Sequence, residues 1–346
     1  MKYDFREASP QDAPAISAFL GRVLHLDSGA PLVEARHLHW KCWQDGPYWT
    51  GSRGYVVTRG EEIAAYASVV PLVCLAGERQ LRMAHLIDWT ADPASVGSGV
   101  ILMKRIAQMV DAIVFWGGSE STEKVVPALG AKACGDATRF ALPLKPLRRL
   151  AAEGLHWRTG VRAARGVLWK LQAPFKDTAG WSVTPVEPHH LGPDVVPLPK
   201  PKPNLALFER TWQMLAYFLR CPGAQMALFT IAKSGPPRGY FLLARTLDQI
   251  RIADFYIESD DPEDWRVLIE LAVREAQRSP SGVEVISVGS DAVTRRALLD
   301  GGFRSRGSWP LRLLSKNATL PNMPIRFHMI DNDAAFWHEN RSDYWG

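Results

Sequence analysis

The sequence predicts a mixed α/β protein made of two tandem domains, each a mostly antiparallel mixed sheet flanked by helices. Three observations predict it. Runs of strand and helix periodicity alternate along the chain in one order, and that order then recurs. Landmark residues recur with it: Pro10 and Pro188, Asp88 and Asp254, Ser119 and Ser290 lie 178, 166 and 171 positions apart. Finally, 346 residues exceed one ordinary domain, and a repeat this long means two copies of a domain rather than a solenoid of short units. The expected boundaries are 1–145 for the first copy, 146–180 for a basic linker and 181–346 for the second copy.

Taken in order, "KYDFREA" reads as a short strand. Ser9 can cap the following helix with Pro10 at its first position, and Ala13, Ile16, Phe19 and Leu20 give that helix one apolar face. "GYVVTRG" and "EIAAYASVVPLVCLAG" read as antiparallel strands turning at "TRGEE", and "QLRMAHLIDWT" as the next strand. "GSGVILMKRIAQMVD" is a helix opening at glycines, "AIVFWGG" a buried strand, "SESTEKVVPALGA" a helix and "TRFALPL" a last strand. The echo runs through "WSVTPVEPHHL", "MALFTIAKSGPPRGYFLLAR", "QIRIADFYIESDDP" and "VEVISVGSDAVTRRALLDGGFRSRG". Between the copies, "PLPKPKPN" has the composition of a linker or surface arm.

Composition narrows the class. With 47% hydrophobic and 22% charged residues the chain resembles ordinary soluble proteins. It has no apolar run of membrane-span length, and its first residues lack the core of a signal peptide. Cys42, Cys74, Cys134 and Cys221 are scattered, which fits reduced thiols in a cytoplasmic protein. The net charge is +5, yet residues 145–177 alone carry +6. A nucleic-acid binder would spread its basic charge differently, so none is expected as a partner. In "WRTGVRAARGVLWKLQ", Arg158, Arg162 and Arg165 recur at helical spacing beside Trp157 and Trp169. The stretch 145–176 therefore reads either as peripheral contact with an anionic membrane or as an interdomain helix with solvated arginines.

The strand, glycine loop and helix around "ASVGSG" resemble the GNAT superfamily of acyl-CoA-dependent acyltransferases, whose signature is Q/R-x-x-G-x-G/A. Gly97 and Gly99 match it and Ala94 departs. "LLDGGF" keeps Gly302 and Phe303 of the family's Y-x-x-x-G-F element, with Leu298 where the Tyr is expected and no Tyr near Val126 in the first copy. "HWKCWQDGPYW" resembles a W-K-x-x-x-x-x-P element of tandem relatives linked to bacterial surface polysaccharide synthesis. The resemblance implies an acetyl-CoA or other acyl-CoA co-substrate at Trp89, Thr90, Ala94, Ser95, Val96, Gly97, Ser98 and Gly99. It also implies direct attack by an amine on the thioester. A small polar acceptor, such as a nucleotide-linked amino sugar, follows from the same likeness. An aminoacyl- or fatty-acyl-transferring relative and a non-catalytic CoA-binding assembly protein are the alternatives.

The residues suit such chemistry. A helix N-terminus presents unpaired amides and a positive dipole end to a pyrophosphate, and glycines let the backbone come close. Ser95 and Ser98 are expected to add hydroxyl donors. The second copy reads "SDDPEDW" at the same junction, so its carboxylates repel a phosphate and the cofactor is expected in the first copy alone. Candidate bases are His85, Asp88 and Glu120; the plain alternatives are a hydrogen-bonded strand histidine, a structural carboxylate repeated as Asp254, and a surface acid. Trp40, Trp116, Tyr217 and Arg220 are candidates for the acceptor site between the halves, against core packing and a surface ion pair. No metal is expected: His37 and His39, read as sharing a strand face, lack a partner, and "DND" in the acidic, aromatic tail lacks the glycine and distal Glu of a calcium loop.

Overall fold

The computed structural model describes residues 3–148, 160–161, 164, 166–169, 178–315, 323–339 and 344. The first copy begins with β1 (Asp4–Glu7) and α1 (Ala13–Leu24), which buries Ile16, Phe19 and Leu20. Asp12 closes the turn before α1 by accepting the Ser9 N–H at 2.7 Å and its hydroxyl at 2.9 Å. Residues 35–43 are helical rather than extended: α2 (Ala35–Leu38) runs into a π-turn over His39–Trp43. The strand reading of His37 and His39 is therefore corrected. Leu38 and Cys42, one helical step apart, bury against α1, and that packing sets the period.

The first copy continues with β2 (Gly54–Arg59), β3 (Glu62–Ala76), β4 (Arg79–Ala91) and α3 (Ser98–Ala107). It closes with β5 (Ala112–Trp116), α4 (Glu120–Ala128) and β6 (Lys132–Pro143). The second copy supplies β7 (Trp181–Val186), β8 (Ala206–Phe208), α5 (Trp212–Leu219), β9 (Gln225–Lys233) and β10 (Pro237–Thr246). Then come β11 (Gln249–Ile257), α6 (Pro262–Arg278), β12 (Glu284–Gly289), α7 (Ala292–Asp300), β13 (Arg304–Ser315) and the short β14 (Ile325–Arg326).

These strands form one sheet in the order β1-β2-β3-β4-β5-β13-β6-β12-β11-β10-β9-β7, with β8 joining β3 to β14. Most pairs are antiparallel, but β4–β5, β11–β12 and the short β8–β14 are parallel. At the centre the copies exchange their last strands. β13 of the second copy lies between β5 and β6, and β6 of the first lies between β13 and β12. One apolar cluster consequently runs through both copies, from Met83 and Trp116 to Phe241 and Leu268.

The basic stretch lies largely outside the described residues, and the membrane-contact reading of 145–176 falls there with it. Trp169 is buried and donates its indole N–H to the Gly302 carbonyl at 2.9 Å, under the guanidiniums of Arg304 and Arg306. The proline-rich arm lies on the second copy, where Lys200 and Lys202 each reach an acid, Glu258 and Asp260, at 2.6 Å. Among the described residues no helix is long and apolar enough to cross a membrane.

Candidate active site

β4 and β5 pair in parallel only from Met83–Ala112 to His85–Val114, and beyond that point they part. β4 is pushed outward by a bulge: Ala67 of β3 faces both Asp88 and Trp89, and Asp88 takes the left-handed conformation with φ 53°. Aspartate is among the few residues that tolerate this backbone, and bulges commonly re-aim side chains beside active sites. The parted strands open onto a cleft of about 870 Å³. Its walls are β4 from His85 to Thr90, the end of β5 with Gly117–Ser119, Arg139 of β6, Gln249 and Arg251 of β11, and tail residues from Asn332 to Glu339. That volume lies in the range of small-molecule and cofactor sites.

Asp88 anchors the bulge. Its side chain is 1% exposed, forms an ion pair with the equally buried Lys41, and accepts the Ser68 hydroxyl at 2.6 Å on Oδ2. Its other oxygen has no hydrogen-bond partner. The second copy repeats the device, with Arg210 bidentate on Asp254 at 2.8 and 3.1 Å. The Tyr240 hydroxyl donates to the same carboxylate at 2.7 Å, and together these partners hold it below the usual carboxylate range against the opposing effect of burial. The recurrence of Asp88 as Asp254 thus marks a buried cation–carboxylate pair in each copy; Lys41 was read from the sequence only as the K of the W-K element, and Arg210 not at all.

The loop between β4 and α3 is built for close backbone approach. Gly97 caps the helix with φ 84°, and the space a β-carbon would take there is open. Gly99 serves packing instead: a β-carbon on it would sit 3.2 Å from Ala91 and 3.4 Å from the Trp89 indole nitrogen. Trp89 donates that N–H to the Gly99 carbonyl at 2.9 Å while lining the cleft, so one side chain ties the loop to the opening. Asp92 receives the Ala94 N–H at 2.9 Å and is compensated by Arg22 at 2.7 Å. One expectation is corrected here. The Ser98 hydroxyl is fully buried and donates to the Ala64 and Ser95 carbonyls, so it is not available to a phosphate. Ser95 is also buried, and Val96 is 87% exposed.

The remaining candidates divide by position. His85, Asp88, Trp89, Thr90 and Trp116 all line the cleft. Burial holds the His85 imidazole down to about 3, and its Nδ1 has no hydrogen-bond partner. It is neutral near pH 7 and a weak base, which corrects its reading as the proton acceptor. Glu120 is 85% exposed, pairs with Lys124 at 2.6 Å and lies outside the cleft, so that reading is corrected as well. Trp40 and Tyr217 stack at 4.8 Å and exchange hydrogen bonds with each other's carbonyls at 3.1 and 2.8 Å. They adjoin only a void of about 20 Å³, room for roughly one water, so they are interface core rather than acceptor wall. Arg220 is exposed at the end of α5, away from the cleft.

The sequence reading missed Asp333. It belongs to the tail turn Asp333–Ala335, lines the cleft, and lies near enough to Asp88 and Lys41 to feel both charges. Desolvation first, and then the Asp88 charge, push its carboxyl up to about 7 against the pull of Lys41 and Arg251, while the residue keeps part of its surface open to the cleft. The available signal was the "DND" of the acidic, aromatic tail, which the sequence reading weighs only as a calcium loop. Among the described residues no group of three or more His, Cys, Asp or Glu is placed to hold a metal ion.

The equivalent opening of the second copy is filled. β11 and β12 pair only as far as Ile252–Ser287, and the tail lies across the gap beyond. The Phe327 N–H donates to the Ser290 hydroxyl at 2.7 Å, His328 packs edge-on against Phe255 at 4.5 Å, and Arg326 is bidentate on Asp291 at 3.0 Å. At the head of α6, Asp261 receives the Glu263 N–H at 2.9 Å, so the protein's own carboxylate occupies that helix end.

No protein-family model matches the chain, and no curated protein does. Solved structures do. A GCN5-related N-acetyltransferase from Anabaena variabilis is 14% identical, with a TM-score of 0.57 over 91% of this chain and 73% of its own. A tandem GNAT protein from the clavulanic acid biosynthesis pathway is 12% identical, with a TM-score of 0.56 over 92% of this chain and 100% of its own. Saccharomyces cerevisiae N-myristoyltransferase with bound myristoyl-CoA is 11% identical, with a TM-score of 0.60 over 95% and 83%. At such identities the likeness is one of fold.

Proposed function

From the tandem GNAT fold as premise, we propose that the chain is an acyl-CoA-dependent N-acyltransferase with a single working cofactor site, in the first copy. One observation carries the reading: the parted β4 and β5 open onto the 870 Å³ cleft, and Trp89 joins that opening to the Gly97 helix end. In this reading the pyrophosphate meets the start of α3 beside Gly97, where the dipole favours an anion. The pantetheine arm passes between β4 and β5, and the thioester lies near Trp116. The acceptor amine enters from the side walled by β11 and the tail, so the second copy shapes acceptor choice. Its own opening, filled by Phe327 and His328, supplies scaffold.

An amine attacking the thioester carbonyl needs its nitrogen deprotonated and the carbonyl held in place; a nucleophilic cysteine is not needed. The described cysteines fit this: burial raises the Cys42, Cys74, Cys134 and Cys221 thiols, leaving them unreactive. The acceptor is a small polar amine, and a nucleotide-linked amino sugar is the first to try.

The test has two stages. Acetyl-CoA should raise the melting temperature, because a ligand that binds only the native state stabilises it. Thiol release from acetyl-CoA should then accelerate with at least one primary amine in a panel. No thermal shift with acetyl-CoA or longer acyl-CoA sinks the reading. A shift without turnover on any acceptor favours a CoA-binding assembly protein instead.

A further inference from the structure

We propose that Asp333, carried on the C-terminal tail, is the general base that deprotonates the acceptor ammonium in the first-copy cleft. The proposal rests on the acyltransferase reading and adds the residue that reading lacks. Elimination and geometry lead to it. His85 is neutral and binds a proton too weakly. Asp88 is bound to Lys41 and Ser68 through Oδ2. Asp333 lines the same cleft, on a tail turn that Arg251 holds against β11.

Its position is fixed from outside the reacting space. The Arg251 guanidinium donates to the carbonyls of Ala334 and Trp337 at 2.7 and 2.8 Å, clamping the turn to β11. The Asn332 side chain accepts the Ala334 N–H at 2.7 Å, and the Phe336 and Trp337 N–H groups close on the Asp333 carbonyl at 2.9 and 2.7 Å. A carboxylate on so well-held a turn meets the requirement that a base be positioned before it is tuned. The charged and titratable groups around it are Asp88 and Lys41 on the bulge side, Arg251 beneath, and His85, Arg139, His338 and Glu339 elsewhere on the cleft wall.

The step balances as follows. Asp333 takes one proton from the acceptor ammonium, leaving a neutral amine. The nitrogen lone pair attacks the thioester carbonyl carbon, the C–N bond forms, the C–S bond breaks, and the CoA thiolate departs. The nitrogen loses its second proton as the amide forms and the thiolate takes up one, so the net release is one proton to solvent.

Three measurements test this together: acetyl-CoA thermal shift, the NMR titration of protein labelled with carbon-13 at aspartate Cγ, and thiol release with the amine panel. The resonance missing from Asp333→Asn should titrate near neutrality, move to lower pH in Asp88→Asn, and respond to acetyl-CoA. Asp333→Asn should keep the acetyl-CoA thermal shift, which shows that it folds and binds. Its kcat should fall about 100-fold or more with loss of the acidic, ascending limb of the pH profile, and Asp333→Glu should restore part of it. A thermal shift in the wild type together with an Asp333 resonance in the ordinary carboxylate range overturns this proposal alone. So does unchanged turnover in Asp333→Asn. A wild type that gives no shift with acetyl-CoA or a longer acyl-CoA defeats the acyltransferase reading, and the proposal with it.

Discussion

Lys41 and Asp88 share a site that neither would occupy alone. Each is almost fully buried, and removing one leaves an uncompensated charge out of water. Lys41→Met should therefore lose about 3–5 kcal/mol in urea denaturation, while Lys41→Met with Asp88→Asn should recover most of it. Equal losses in the single and double variants would show that the pair contributes packing rather than charge compensation. Asp333 makes the opposite kind of prediction. Its folded value of about 7 lies above the roughly 3.9 of an unfolded aspartate. Between those values the folded state holds a proton that the unfolded state has released, so this group costs stability as pH rises from about 4 to about 7. Asp333→Asn removes that cost: its melting temperature should gain on wild type across this window and keep the gain above it. A difference that is flat in pH would place the Asp333 carboxyl in solvent and leave the cleft without its base. The role of Asp333 was not legible in the sequence, and Lys41 entered it only as the K of the W-K element, because each acquires its role from a partner more than forty positions away.

At the scale of elements, the start of α3 was legible and its details were not. The glycine pair after a strand announced a helix opening at an anion site, and the carboxylates of "SDDPEDW" announced that its twin would differ. The two helix ends do differ in the structure: the space beside Gly97 is open, while Asp261 occupies its own helix start. The inward turn of Ser98 could not be read, because it depends on the Ala64 carbonyl of a strand packed beneath. The same holds for residues 35–43, where apolar spacing fits helix or strand until α1 provides a surface. The open glycine gives a direct prediction. Gly97→Val places a β-branched side chain at φ 84° and in the path of the phosphates. It should cost about 1–2 kcal/mol of stability and abolish the acetyl-CoA thermal shift. Retention of the full shift would mean that the cofactor does not use this helix end. Asp261→Ser, at the other helix, should leave the shift unchanged.

The whole molecule is where the sequence was least informative, for the repeat announced two copies but not their interleaving. β6 has both of its partners, β13 and β12, in the second copy. β13 has both of its own, β5 and β6, in the first. A duplication boundary near residue 145 is therefore a boundary of sequence, and the hydrogen bonds cross it. Cutting there strands β6 without a neighbour in one fragment and β13 without a neighbour in the other. Each fragment also exposes the edge that the missing strand covered, and bare edges pair with other chains. The intact protein should accordingly melt in one transition, with calorimetric and van't Hoff enthalpies that agree. Residues 1–145 and 181–346 expressed separately should aggregate or remain unfolded. Expressed together, they should recover a soluble complex that binds acetyl-CoA. The first fragment has one escape, which is to lay β6 directly against β5. A soluble, cooperatively melting 1–145 would show that it takes this route, and the exchange would then be an arrangement each copy can do without.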